Sequence, residues 1–163
     1  MNGIGPKIRQ GKMVNGECNC MIFNIIDNQE SIDYLMNQFN GFHDSCIKEV
    51  RYVSGAYVSQ NGAINPFDST KTLTIIFQSQ GANIRTIEMK FDGIVRFNLC
   101  PKGEMEDAVL YGASILYYNG LIYWSSLYNV KLSELEDCDS TWVSSERISW
   151  RALDNCLGDK IIY

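Results

Sequence analysis

Apolar residues recur at every second position along much of this chain. Leu73, Ile75 and Phe77 alternate with Thr72, Thr74 and Gln78; Ile87, Met89 and Phe91 with Thr86, Glu88 and Lys90; and Val95, Phe97 and Leu99 with Arg96 and Asn98. A period of two turns one side of an extended chain to a core and the other to water, so each run reads as a half-buried β-strand. Gln80-Gly81 separates the first run from the second, and Asp92-Gly93, a two-residue hairpin signal, the second from the third. Two adjacent hairpins predict an antiparallel meander. Ala108 to Tyr118 and Leu121 to Ser125 then flank Asn119-Gly120, whose residues readily take the positive φ angles of a type I′ turn. Trp142 to Leu153 closes the series, with Ile148, Trp150 and Ala152 on one side and Arg147, Ser149 and Arg151 on the other. Upstream, the apolar density of Cys18 to Ile26 predicts a first strand buried on both faces.

One segment follows a different period. Ile32, Leu35, Met36 and Phe39 fall at i, i+3, i+4 and i+7, the stripe of an amphipathic helix. Asp27-Asn28-Gln29-Glu30 has the spacing of a capping box before it, and Gly41 stands where a left-handed cap ends a helix. Beyond it, Ile47 and Val50 lie three apart, which predicts a bulge near Lys48-Glu49. Asn61-Gly62 and Asn65-Pro66 mark residues 59–70 as a loop. The expected architecture is α+β and β-dominated: an antiparallel meander sheet of about six to eight strands, curled into a sandwich or partly open barrel, with one short amphipathic helix against it. Residues 1–17, with four glycines and one proline, read as an N-terminal arm or loop in which Met13 is a candidate internal start. Residues 18–163 read as one β-rich domain, a length that supports a single core.

Charge narrows the partners. Lys and Arg total 14 against 19 Asp and Glu, a net charge of −5. An acidic surface repels phosphate backbones and anionic lipid, so nucleic acid and membrane are not the expected partners, whereas a basic protein is. No run reaches the ~18 apolar residues of a membrane span, and the first residues lack the apolar core of a signal peptide, so a cytoplasmic protein is expected. In that compartment the six cysteines read as free thiols, mostly small core residues.

Little catalytic chemistry stands out. Phe42-His43-Asp44-Ser45 holds the lone histidine beside a carboxylate, half of a nucleophilic triad. Neighbours on an extended chain point to opposite faces, however, so His43 and Asp44 are not expected to serve each other, and the stretch His43, Asp44, Ser45 reads as a structural turn. Cys18-x-Cys20 with scattered single cysteines is a poor zinc pattern, and Asp137-x-Asp139 lacks the glycine and final Glu of a calcium loop. Phosphate-binding glycine motifs are absent from the sequence. No catalytic residue, metal or other cofactor is therefore assigned. Two acidic clusters remain, Glu104, Glu106 and Asp107, and Glu134, Glu136, Asp137 and Asp139, together with the aromatic hairpin that carries Tyr118, Tyr123 and Trp124. Solvated loops and core packing account for such residues in most proteins. As a group they also form the candidate partner-binding set, since exposed aromatics anchor interfaces and acidic groups complement a basic partner.

Phe42-His43-Asp44-Ser45-x-Ile47-x-x-Val50, followed by Phe91-Asp92-Gly93-Ile94 and Phe97, resembles small bacterial β-rich proteins that open a strand with Phe/Leu-His-Asp-Ser/Ala. Some of those look like immunity proteins of bacterial toxin systems. The resemblance covers about residues 39 to 100 and implies a toxin-neutralising binding module with no cofactor and no catalytic residue. Two alternatives stand beside it: a β-barrel that encloses a small ligand, and an enzyme built on His43.

Overall fold

A computed structural model describes residues 22–66 and 71–163. The arm at 1–17, Met13, Cys18 and Cys20 lie outside the described residues. Ten strands and one α-helix follow in the order β1 (Asn24–Ile26), α1 (Gln29–Gln38), β2 (His43–Val53), β3 (Tyr57–Val58), β4 (Ile64–Asn65), β5 (Thr72–Ser79), β6 (Thr86–Asn98), β7 (Leu110–Tyr111), β8 (Ser114–Tyr118), β9 (Leu121–Ser125) and β10 (Trp142–Ala152). β3 and β4 form a separate two-stranded ribbon inside the expected loop. The rest make one antiparallel sheet in the order β7-β2-β5-β6-β10-β9-β8, with β1 beside β10. It is strongly curled into a half-barrel, the partly open form of the expected architecture.

The curl has a topological cause. β7 and β8 lie at opposite ends of the strand order, yet only Gly112 and Ala113 separate them. The three Cα–Cα steps from Tyr111 to Ser114 span at most about 11 Å, so the sheet's edges must come together there. The single strand expected from Ala108 to Tyr118 is thus two, on opposite edges, because the chain crosses this seam at Gly112. Gly112 has φ +151°, and a Cβ on it would sit 3.0 Å from the Tyr128 Cβ.

Asp92-Gly93 also differs from expectation. β6 runs through it without a turn, and Gly93 at φ +66° lies opposite Glu146, two residues before Val95, which the β6–β10 register shift between Ile94 and Arg96 leaves unpaired. Its conformational freedom bends one long strand instead of joining two. The bulge at Ile47 to Glu49 occurs as the spacing predicts, and Asn119 and Gly120 take φ of 50° and 78° in the β8–β9 turn.

Helix α1 begins one residue later than the sequence reading has it. Asn28 is the cap: its Oδ1 accepts from the Ser31 N–H at 2.8 Å while the Ser31 Oγ accepts from the Asn28 N–H at 3.1 Å. Ser31 replaces Glu30 as the reciprocal partner because its short hydroxyl reaches both the Asp27 and Asn28 N–H groups. The stripe lands as expected, with Ile32, Leu35 and Phe39 buried and Met36 against them. Strand β1 is not buried on both faces: Ile26 enters the core but Ile25 is exposed. The four described cysteines, Cys46, Cys100, Cys138 and Cys156, are free and half-buried, not core residues.

Inside the half-barrel, Phe39, Phe42, Phe77 and Trp124 are fully buried, with ring centroids 5.0 to 6.3 Å apart where they meet. Edge-to-face packing of this kind adds to simple area burial. These rings and helix α1 occupy the space that a ligand-enclosing barrel would leave open, which removes the support for that alternative.

Candidate functional site

The helix gives way to β2 through backbone of unusual hand. Asn40, Gly41, Phe42 and Asp44 have φ of 50°, 59°, 65° and 55°. Gly41 takes this conformation freely, Asn and Asp tolerate it, and for a bulky residue such as Phe42 it is an outlier. The turn is tied from all sides: the Phe42 N–H donates to the Phe39 carbonyl (3.0 Å), the Ala113 N–H to that of Gly41 (3.0 Å), the Gln80 N–H to that of Asp44 (2.9 Å), and the buried Ser45 hydroxyl to that of Phe42 (2.6 Å).

That hand changes what His43 and Asp44 can do. Positive φ at Asp44 produces a bulge between His43 and Ser45 against β7, breaks side-chain alternation, and brings the Asp44 Oδ2 to 3.0 Å from the His43 Nδ1. The expectation that neighbours on an extended chain cannot serve each other fails here because Asp44 is not extended. On the adjacent strand, Tyr111 is the β7 partner of His43, and their rings meet edge to face at 6.4 Å. The Tyr111 hydroxyl donates to the Asp107 Oδ2 at 2.7 Å, and the Val109 N–H to the Asp107 Oδ1 at 2.9 Å.

These bonds tune the groups. Donation from Tyr111, then from Val109, holds the Asp107 carboxyl below the usual carboxylate range. The same bond and the Asp107 charge push the Tyr111 phenol up, with the Asp44 carboxylate adding to the effect from the other side. His43, Asp44, Asp107 and Tyr111 are all exposed, and Tyr128, 77% exposed, flanks Gly112 in the same seam. The arrangement is an acidic, tyrosine-bearing surface.

A scan against family models and searches of curated proteins and of solved structures find no match to this chain.

The other residues singled out from the sequence are dispersed. Glu104 is exposed in the loop that leads to β7, and Glu106 accepts the Gly103 N–H at 2.7 Å, holding that loop's turn. Tyr118 is exposed at the β8–β9 turn. Tyr123 is half-buried against a satellite cluster of Val130, Leu135 and Trp142. Trp124 must be removed from the partner-binding set, since it is fully buried in the aromatic core on the inner side of β9. Glu134 lies 3.7 Å from the Lys131 Nζ and accepts that residue's N–H, Glu136 pairs with Arg96, and Asp137 and Asp139 are exposed. Tyr111 and Tyr128 are the site residues the sequence reading did not select. Tyr111 stands four residues after Asp107, but only the pairing of β7 with β2 brings either to His43.

A second polar group lies on the sheet face that turns away from the helix. Glu88, 4% exposed, is hydrogen-bonded to both Arg151 and the Tyr163 hydroxyl. Glu49 accepts the Ile162 and Tyr163 N–H groups at 2.8 and 3.3 Å, and the Gln78 side chain donates to the carbonyls of Cys156 and Gly158. These contacts fasten the C-terminal segment across the sheet.

Proposed function

We propose that this protein is a non-enzymatic, cytoplasmic binding module that receives a basic surface of another protein on the edge of the sheet where β7 pairs with β2. The observation that carries the reading is the exposed cluster of Asp44, Asp107 and Tyr111 around His43. Two carboxylates beside a tyrosine offer what a Lys- or Arg-rich surface seeks: complementary charge with an amphipathic aromatic anchor. In its most concrete form the module is an immunity-like inhibitor covering a basic bacterial toxin, in keeping with the Phe-His-Asp-Ser resemblance.

The pairing of His43 with Asp44 is the one observation that favours an enzyme. Ser45, however, has its hydroxyl buried and committed to the Phe42 carbonyl. A nucleophile must lie within hydrogen-bond reach of its base, and Ser45 is otherwise engaged. Affinity capture at low salt with the Asp44→Asn, Asp107→Asn and Tyr111→Ala variants tests the reading. Wild type should retain a basic protein, released by salt as exposed charge pairs are screened. Each variant should bind it more weakly, by up to roughly tenfold. Capture that the variants leave unchanged, or retention of no basic protein, counts against the proposal.

A further inference from the structure

We propose that the outer face of the sheet carries a second, independent site, for a small molecule bearing a phosphate group. A cleft of about 330 Å³ opens there, lined by Arg51, Lys90, Arg151 and Glu88 and walled by Phe23 and Tyr163. Its volume is at the lower end of small-ligand sites, about 300–1,000 Å³.

The sign of its charge is the first observation. In a chain of net charge −5 the lining holds three cations and one carboxylate. Glu88 is spent on Arg151 and the Tyr163 hydroxyl. Two further carboxylates lie on this face outside the lining: Glu49, engaged by the amides of Ile162 and Tyr163, and Asp92, 3.0 Å from the Lys90 Nζ and 3.7 Å from the Arg147 Nε. Arg51 has no carboxylate within salt-bridge distance among the described residues; its contact is the ring of Tyr163.

Preorganisation is the second. Arg51 lies 5.4 Å over the Tyr163 ring and Arg151 4.8 Å over that of Phe23, so both planar guanidiniums are held by aromatic faces. A guanidinium already fixed in place loses little freedom when it grips an oxyanion through two parallel N–H bonds. Arg151 is matched by Glu88 and Lys90 shares Asp92 with Arg147, so Arg51 is the lining cation left without a carboxylate to meet a phosphate oxyanion, and Phe23 and Val53 offer an apolar wall for the group it carries. The cleft is eight residues along β2 from His43, roughly 25 Å at ~3.3 Å per residue, so it owes nothing to the seam.

Titration of the isotope-labelled full chain with inorganic phosphate and then phenyl phosphate, at constant ionic strength, tests the site through backbone amide shifts. Saturable shifts at residues 51–53, 72–74, 88–90 and 151 are expected, with phenyl phosphate the tighter. Arg51→Gln, an exposed change that leaves the core untouched, should weaken binding at least about tenfold. Lys90→Gln should weaken it too, and Lys131→Gln, on a distant loop, should not. Shifts that do not saturate, that map elsewhere, or that keep their affinity in Arg51→Gln and Lys90→Gln overturn the proposal.

Discussion

Phe42 holds φ at +65° with its side chain fully buried. Left-handed backbone costs a residue with a Cβ roughly 1–2 kcal/mol, and burying a Phe returns about 1.5–3 kcal/mol, so packing outweighs the strain. An inverted substitution series follows. Phe42→Ala should cost roughly 3–5 kcal/mol, since it opens a cavity against Phe39, Phe77 and Trp124 while keeping the strained Cβ. Phe42→Gly opens nearly the same cavity but releases the strain, which exceeds the ~0.5–1 kcal/mol by which Gly is ordinarily worse than Ala. Urea denaturation should find Phe42→Gly at least as stable as Phe42→Ala; the usual order would show that the turn is unstrained. The same backbone explains a limit on what sequence discloses. The lone histidine and its acidic neighbour are visible in the one-dimensional pattern, whereas their pairing depends on the φ of Asp44, which residue type permits but does not dictate.

At the level of elements, hydrophobic alternation located the strands because each buries one face, and the 3.6-residue stripe located the helix for the same reason. What alternation could not supply was the fate of glycine. Asp92-Gly93 suits a hairpin and a bulge equally, and the choice is made by Val143, Ser144 and Ser145, which pair with Phe97, Arg96 and Ile94 and keep β6 running past the bend. Those partners lie about fifty residues away, beyond any local window. Gly93→Ala should therefore cost about 1–2 kcal/mol from the positive φ alone. A Cβ there would also fall 2.6 Å from the Glu146 Oε2, the far end of a side chain that can move. Adding Glu146→Ala should recover less than half of the loss in thermal or chemical melts. Full recovery would mean that contact, not backbone hand, demands the glycine.

Across the whole molecule, two polar assemblies sit at places that strand patterning leaves unmarked, the seam where the sheet edges meet and the outer face crossed by the C-terminal segment. Glu88 illustrates the second: its alternation places it outward, yet it is nearly as buried as a core residue because Arg151 and Tyr163 close over it. Burial and then the bond to Glu88 push the Tyr163 phenol above its ordinary value of 10.0. A folded-state pKa raised above the unfolded one means that the docked segment favours the neutral phenol. Its stabilisation is fully present below about pH 10 and is lost as pH rises through the folded value. Half of Tyr163 remains exposed, so solvent reduces the worth of a hydrogen bond to a charged acceptor to about 1 kcal/mol. Wild type should thus exceed Tyr163→Phe in stability by about that amount from pH 7 to 9, and the gap should shrink once the medium passes pH 10. The comparison isolates the Tyr163 hydroxyl, so a gap that persists undiminished at pH 11 would mean that the neutral phenol's bond to Glu88 is not its source, and no gap at any pH would place that hydroxyl in solvent.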